Sequence, residues 1–364
     1  VLHYQPKVNM RTGEVVGAEA LIRWQHPVRG LLPPAAFLSQ IADHPLAIRL
    51  GEWVLDTALT QIERWKAAGL TLPVSVNIDA IQLEQPDFVG NLRQLMAAHT
   101  LVGPGDLELE VLETSALDDM AKVSDVMLAC RDMGIGFALD DFGTGYSSLT
   151  YLKRLPAGLL KIDQSFVRDM LDDPDDLSIL EGVLGLSRAF QRRVIAEGVE
   201  TLAHGDMLLH LGCELGQGYA IARPMPAENL PTWVGNWRPA PSWLNQLPIS
   251  HADLPILFAS VEHRVWVNKV VSFVRGEGDA PPPIHPDHCR VGLWMKTEVP
   301  LLRPDKRLAA EALGPLHNAI HERAGELIRL KQAGQAEAAL EQLDALYRLR
   351  DQLLLQFAGL LKPV

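Results

Sequence analysis

The chain has 364 residues, 48% of them apolar, and a formal net charge of −12, which is enough for a soluble globular protein of two domains with a large core. The acidic balance excludes a general binder of nucleic-acid polymers, because an anionic ligand must then be held by local cations or metal ions. Three cysteines, Cys130, Cys213 and Cys289, are too few and too widely spaced for a disulfide framework and fit a reducing cytosol.

No apolar run approaches the roughly 18–20 residues needed to span a bilayer, and there is no signal-peptide pattern, so a cytoplasmic location with no membrane contact within this chain is expected. Val1-Leu2-His3-Tyr4 reads as a strand already in progress. A piece of a longer protein is therefore expected, with upstream domains, membrane ones included, left open.

From Tyr4 to about Pro226 one theme repeats: a short apolar run ends on polar residues and leads into a helix-length amphipathic segment. Val15–Ala18 ends on Glu19, Leu72–Val76 on Asn77, and Leu107–Leu109 on Glu110 with Glu113 just beyond. Phe137–Leu139 ends on Asp140 and Asp141, Leu159-Leu160 on Lys161 and Asp163, Val194–Ala196 on Glu197 and Glu200, and Cys213–Gly216 on Gln217. Phe37–Gly69, Ala121–Gly134 and Leu177–Arg192 have helical spacing, with Gly69 and Gly134 at the stops.

Strands alternating with helices argue for a mostly parallel sheet, and about 230 residues is the size of a (β/α)8 TIM barrel. An open doubly wound sheet is the alternative. The barrel is preferred because it gathers all the polar strand ends at one mouth. Adjacent Asp140 and Asp141, opening into Phe142-Gly143-Thr144-Gly145, read as half of a metal site, since two unpaired carboxylates so close would repel and one would be driven neutral. A solvated turn or helix N-cap is the plainer use of such a pair. Seven polar strand ends in succession outweigh it.

At this point residues 4–226 resemble the EAL-domain family of cyclic di-GMP phosphodiesterases. The resemblance rests on Tyr4-Gln5-Pro6, the signature Glu19-Ala20-Leu21 with Arg23-Trp24, and the run Asp140–Ser148, which reads DDFGTGYSS. It extends to Lys161-Ile162-Asp163, Glu197-Gly198-Val199-Glu200 and Gln217-Gly218. It implies a modified TIM barrel that hydrolyses cyclic di-GMP to the linear dinucleotide pGpG with two Mg²⁺ or Mn²⁺ ions per active site. The oxygen-rich residue set agrees with those hard cations.

Carried over position by position, the resemblance implies that Glu19, Asn77, Glu110 and Asp140 hold one metal ion, and that Asp141 with the Glu197/Glu200 region, Glu200 as its ligand, completes a second. Lys161 holds or polarises the attacking water. Glu197 is its general base or the carboxylate that positions it, and Glu113 steadies the loop of the paired aspartates. Gln5, Leu21, Arg23, Asp163 and Gln217 contact substrate, Arg23 through a phosphate. Leu112 departs from the family pattern, which usually carries Thr there.

Trp237-Arg238-Pro239-Ala240-Pro241-Ser242 and Pro248 break both patterns. The expected organisation is a barrel over 1–238, a Pro-rich linker over 239–250 and an all-α domain over 251–364. In the last, Ala252–Arg275, Lys306–Gln332 and Ala336–Leu361 have helical spacing, as in an antiparallel bundle. His317 and His321, at i and i+4, share a helix face and can bind one metal ion. His263 and Cys289 complete a tetrahedral zinc set.

Residues 255–325 resemble the chemoreceptor zinc-binding domain, CZB, in this cysteine motif and His-x-x-x-His. That resemblance implies a four-helix fold, tight Zn²⁺ binding and regulatory use, often as a homodimer, and Cys289 could also report oxidants. The expected function is thus a phosphodiesterase under zinc or redox control. The alternatives are a non-catalytic cyclic di-GMP receptor and a purely structural zinc domain that dimerises the barrel.

Overall fold

The computed structural model describes residues 1–41, 44–114, 120–145, 149–278 and 280–361. Tyr146–Ser148 of the DDFGTGYSS run lie outside them. The described strands are β1 (Leu2–Asn9), β2 (Val15–Ile22), β3 (Trp24–His26), β4 (Gly30–Leu32), β5 (Val74–Asn77), β6 (Leu107–Leu112), β7 (Gly136–Phe142), β8 (Leu159–Ile162), β9 (Arg193–Ala196), β10 (Leu215–Gly216) and β11 (Met225–Pro226). In space they run β10-β9-β8-β7-β6-β5-β2-β1, and β1 pairs back onto β10, so eight strands close into a barrel.

Six of the neighbouring pairs are parallel, whereas β1 is antiparallel to both β2 and β10. Beyond the barrel, β11 pairs antiparallel with β1, and β3 with β4 forms a separate hairpin. Neither β11 nor the hairpin stood out from the sequence. The parallel strands are covered on their outer face by helices, so their apolar residues are buried on both sides, as Ala138, Leu159 and Ile195 are.

Register and alternation set the interior. Gln5 pairs with Glu19, Ser75 with Glu108, and Asn77 with Glu110. Because side chains two apart on a strand share a face, Gln5 and Lys7, Ser75 and Asn77, and Glu108 and Glu110 stack in layers.

The helix expected over 37–69 begins only at Leu46, after Pro45; before it come two short 3-10 turns, Pro34–Ala36 and Leu38–Gln40. Met120–Asp132 and Pro174–Ala189 lie within three residues of their expected positions. The chain divides into two units, Val1–Arg168 with Ile179–Gln246, and Asp169–Ser178 with Leu247–Val364. The Pro-rich stretch read as a linker is packed onto the first unit as far as Gln246. Trp243 is 1% exposed, its indole N–H donates to Leu202 O at 3.1 Å, and its ring sits where a Cβ on Gly205 would lie, 2.3 Å away.

The second unit is helical. Leu254–Arg275, Arg290–Thr297, Gly314–Gln332 and Leu343–Leu360 supply its main packing, with the short helices Pro304–Glu311 and Ala336–Leu340 between them. The helix expected over 306–332 is broken after Glu311, because Pro315 lacks an amide hydrogen and is accommodated only in the first turn of a new helix. A second break, at Glu341-Gln342, has no proline or glycine to mark it. Among the described residues, no helix is long and apolar enough to cross a membrane.

Candidate functional site

Lys161, on β8, projects into the barrel mouth and is 1% exposed. Its Nζ lies 2.5 Å from Glu110 Oε2, 2.7 Å from Glu197 Oε1, 3.0 Å from Asp140 Oδ1 and 3.6 Å from Glu19 Oε1. One ammonium thus faces four carboxylates contributed by β2, β6, β7 and the end of β9. Burial opposes its charge, but those carboxylates outweigh burial and hold its pKa well above the usual lysine value.

One cation does not neutralise the ring. Burial, with Glu110 and Asp140 nearby, pushes Glu19 up to about 7; burial, with Asp140 and Glu19, pushes Glu197 up to about 8. Glu110 behaves oppositely. Burial raises it, yet Lys161 on one side and Lys7 on the other bring it down to about 2. Carboxylates that hold protons near neutral pH mark a site with more negative charge than its own cations balance, and the donors are all hard oxygens. These residues therefore fit divalent cations. Asn77 belongs to the same layer and donates its Nδ2–H to Glu19 Oε1 at 2.7 Å.

Strand alternation would send Asp140 and Asp141 to opposite faces. The structure avoids this with a register shift between Leu139 and Phe142 and a left-handed backbone at Asp141, φ 53°. As a result, carboxylate oxygens of Asp140, Asp141 and Glu197 lie within 4.8 Å of one another. Burial, Asp140 and a hydrogen-bonded Asp163 push Asp141 up to about 6. Glu113, itself 1% exposed, accepts the Gly143 N–H at 2.9 Å, and its Oε1 would be 3.1 Å from a Cβ on Gly145. The loop after the aspartates is thereby tied to the end of β6.

The remaining candidates rim the same cleft, of about 230 Å³, which Gln5, Leu21, Arg23, Glu200 and Gln217 all border. Gln217 donates to Glu19 Oε2 at 2.6 Å and to Gln5 Oε1 at 3.1 Å, while its own Oε1 is buried with no partner. Glu200 is exposed and outside the Asp140–Asp141–Glu197 trio. Asp163 faces Asp141 and accepts the Ser165 N–H at 2.9 Å. Leu112 is 44% exposed at the end of β6. Sequence reasoning overlooked Lys7, Ser75 and Glu108, which fill the layer beneath the carboxylates; the signal was their i±2 spacing from Gln5, Asn77 and Glu110.

In the second unit His263, His317 and His321 come together from two helices, with ring nitrogens within 4.8 Å of one another. Cys289, the N-cap of Arg290–Thr297, places Sγ 3.0 Å from His317 Nε2 and accepts the Gly292 N–H. His321 Nδ1 is bonded to Ile284 O at 2.7 Å, which leaves Nε2 as the free lone pair. That Nε2 and both nitrogens of His263 are buried without partners. Burial, reinforced by mutual repulsion, holds His263 well below the usual range and brings His317 down to about 4. Three neutral imidazoles, two with orphaned nitrogens and the third against a thiol, fit a zinc ion.

With this geometry established, comparison with known proteins places it. Residues 1–224 match the model of the EAL domain, and residues 263–328 that of the chemoreceptor zinc-binding domain. The bifunctional diguanylate cyclase/cyclic di-GMP phosphodiesterase MucR of Pseudomonas aeruginosa is 43% identical over 231 residues, 63% of this chain and 34% of that protein. A cyclic di-GMP phosphodiesterase of the same organism is 40% identical over 233 residues, 64% of this chain and 40% of its own length. The chain therefore spans only about a third to two fifths of these relatives.

A solved PaMucR phosphodiesterase complex with c-di-GMP superposes with a TM-score of 0.61 at 43% identity, covering 63% of this chain and 93% of that one. The EAL domain of Mycobacterium smegmatis DcpA gives 0.55 at 34% identity, covering 65% and 96%. EAL domains depend on metal ions, and CZB domains bind zinc. The chain belongs to the EAL-domain family, with a chemoreceptor zinc-binding segment following the barrel.

Proposed function

We propose that the barrel hydrolyses one phosphodiester bond of cyclic di-GMP and releases pGpG. The observation that carries this reading is Lys161 set among Glu19, Glu110, Asp140 and Glu197 at the mouth of a closed barrel. The relatives' names and the c-di-GMP complex of PaMucR support the choice of substrate.

Glu19, Asn77, Glu110 and Asp140 would hold one Mg²⁺ or Mn²⁺, and Asp141, with the Glu197/Glu200 region, a second. When bound, such a pair lowers the pKa of water and stabilises the leaving oxygen of an in-line displacement. Glu197 takes a proton from the attacking water, a task suited to a carboxylate that reaches the barrel mouth beside Asp140 and Asp141. Lys161 Nζ, 2.7 Å from Glu197 Oε1, fixes where that carboxylate points. Arg23 grips a substrate phosphate, and the amides of Gln5 and Gln217, with Leu21 and Asp163, complete the contacts to the nucleotide. Incubation with cyclic di-GMP and Mg²⁺ should yield pGpG on anion-exchange chromatography. Tight binding without product under Mg²⁺ or Mn²⁺ would leave a receptor in place of an enzyme.

The second unit, in this reading, holds Zn²⁺ through His263, His317, His321 and Cys289, forms a homodimer, and biases hydrolysis according to zinc occupancy or the oxidation state of Cys289. A reducing cytoplasmic location, where the thiol of Cys289 would stay reduced, is part of the same proposal. Hydrolysis rates with zinc present, with zinc chelated, and in Cys289→Ala decide the regulatory part. Three identical rates defeat it.

A further inference from the structure

TIM-barrel interiors are ordinarily filled by layers of branched apolar side chains. Directly beneath the carboxylate ring this barrel instead carries Lys7, Ser75 and Glu108. On β5 and β6 the deeper residues precede Asn77 and Glu110 by two, and on antiparallel β1 Lys7 follows Gln5 by two, so all three lie one layer inward. Lys7, 5% exposed, is 3.0 Å from Glu108 Oε1 and 3.3 Å from Glu110 Oε1, and also donates to the Ser75 hydroxyl, which in turn donates to Glu108 at 2.8 Å. Lys161 takes the other oxygen, Glu110 Oε2, at 2.5 Å. Glu110 is therefore clamped, each oxygen on a different lysine from a different layer.

Stability does not account for such a layer, since buried ion pairs are commonly no better than apolar residues of the same volume. We propose that Lys7 is a positioning residue for Glu110: by holding Oε1 inward it keeps Oε2 turned to the mouth, where a divalent cation binds. Glu108 balances the Lys7 charge, so the negative charge of Glu110 stays available to the cation, and Ser75 fixes the ammonium from the neighbouring strand. This rests on Glu110 being a cation ligand, as proposed above.

The test uses Mn²⁺ itself and the full chain. The double variant Lys7→Met/Glu108→Gln removes both inner charges together and leaves neither unpaired. Its fold is checked by circular dichroism and thermal melting, and Mn²⁺ binding is read from the loss of the free-ion EPR signal. We expect a native fold with Mn²⁺ affinity lowered about tenfold or more, the range found when a group that orients a metal ligand is removed. A native fold with wild-type affinity overturns the proposal. Should the double variant not fold, Ser75→Ala decides: it keeps every charge and loosens Lys7 only, so affinity should fall about threefold, and an unchanged value again overturns the role. Wild-type protein that binds no Mn²⁺ overturns the cation reading itself, an outcome distinct from equal binding in wild type and variant.

Discussion

Glu113 accepts the backbone N–H of Gly143 at 2.9 Å, joining the end of β6 to the turn that follows Asp140 and Asp141. The bond crosses from one barrel strand to the loop of the next and carries no ligand of its own. Glu113→Ala should therefore lower turnover and Mg²⁺ or Mn²⁺ affinity together, each by about tenfold, with the melting temperature little changed. Steady-state kinetics across a metal titration check this. A variant with unchanged kinetics would show that the turn needs no such tether.

Asp141 is grouped with Asp140 and Glu197 and is hydrogen-bonded to Asp163. Asp141→Asn should cut hydrolysis by about a hundredfold, while one cation and substrate binding survive. Calorimetric titration with Mn²⁺ should then find one site fewer than in wild type. Loss of both sites would mean that the two aspartates act as a single unit.

Lys161 is the internal counter-ion of four carboxylates. Lys161→Met leaves them facing one another, and removal of one partner from a buried charge cluster typically costs about 3–5 kcal/mol. Melting in chelator should show the variant well below wild type, and excess Mg²⁺ should close most of that gap. Equal melting temperatures in chelator would mean that the carboxylates simply take up protons in its absence.

At the zinc cluster the protonation states set a pH dependence. Burial keeps the three histidines neutral near pH 7, whereas it raises the Cys289 thiol above its usual value and so keeps it protonated. Zinc binds thiolate, so binding at pH 7 should release about one proton, all of it from Cys289. Calorimetry in buffers of different ionisation enthalpy measures the count. In Cys289→Ala the release should vanish, and affinity should become nearly independent of pH between about 6 and 8.

How far the chain could be read from its residues differs from place to place. Seven polar strand ends were legible because parallel strands deliver their last residues to a common mouth, and Asn77, Glu110 and Lys161 stand one behind another along the barrel wall. The arrangement of Asp140 and Asp141 was not, since alternation separates neighbours and only the bulge with its left-handed Asp141 reunites them. Lys7 was overlooked because the eye stops at Tyr4-Gln5-Pro6, although a period of two already placed it beneath Gln5. His317 and His321 were visible at i and i+4. That His263 meets them depends on the packing of two helices, which no local period encodes.

Trp243 seated on Gly205, with Pro239 against Gly13, changes where the barrel can be cut free. Shortening the chain at residue 238, where the prolines begin, would strip an indole from its socket and bare the apolar floor beneath it. An excised barrel, or a chimera carrying a different sensor in place of the helical unit, should retain the chain through Gln246 and graft beyond it.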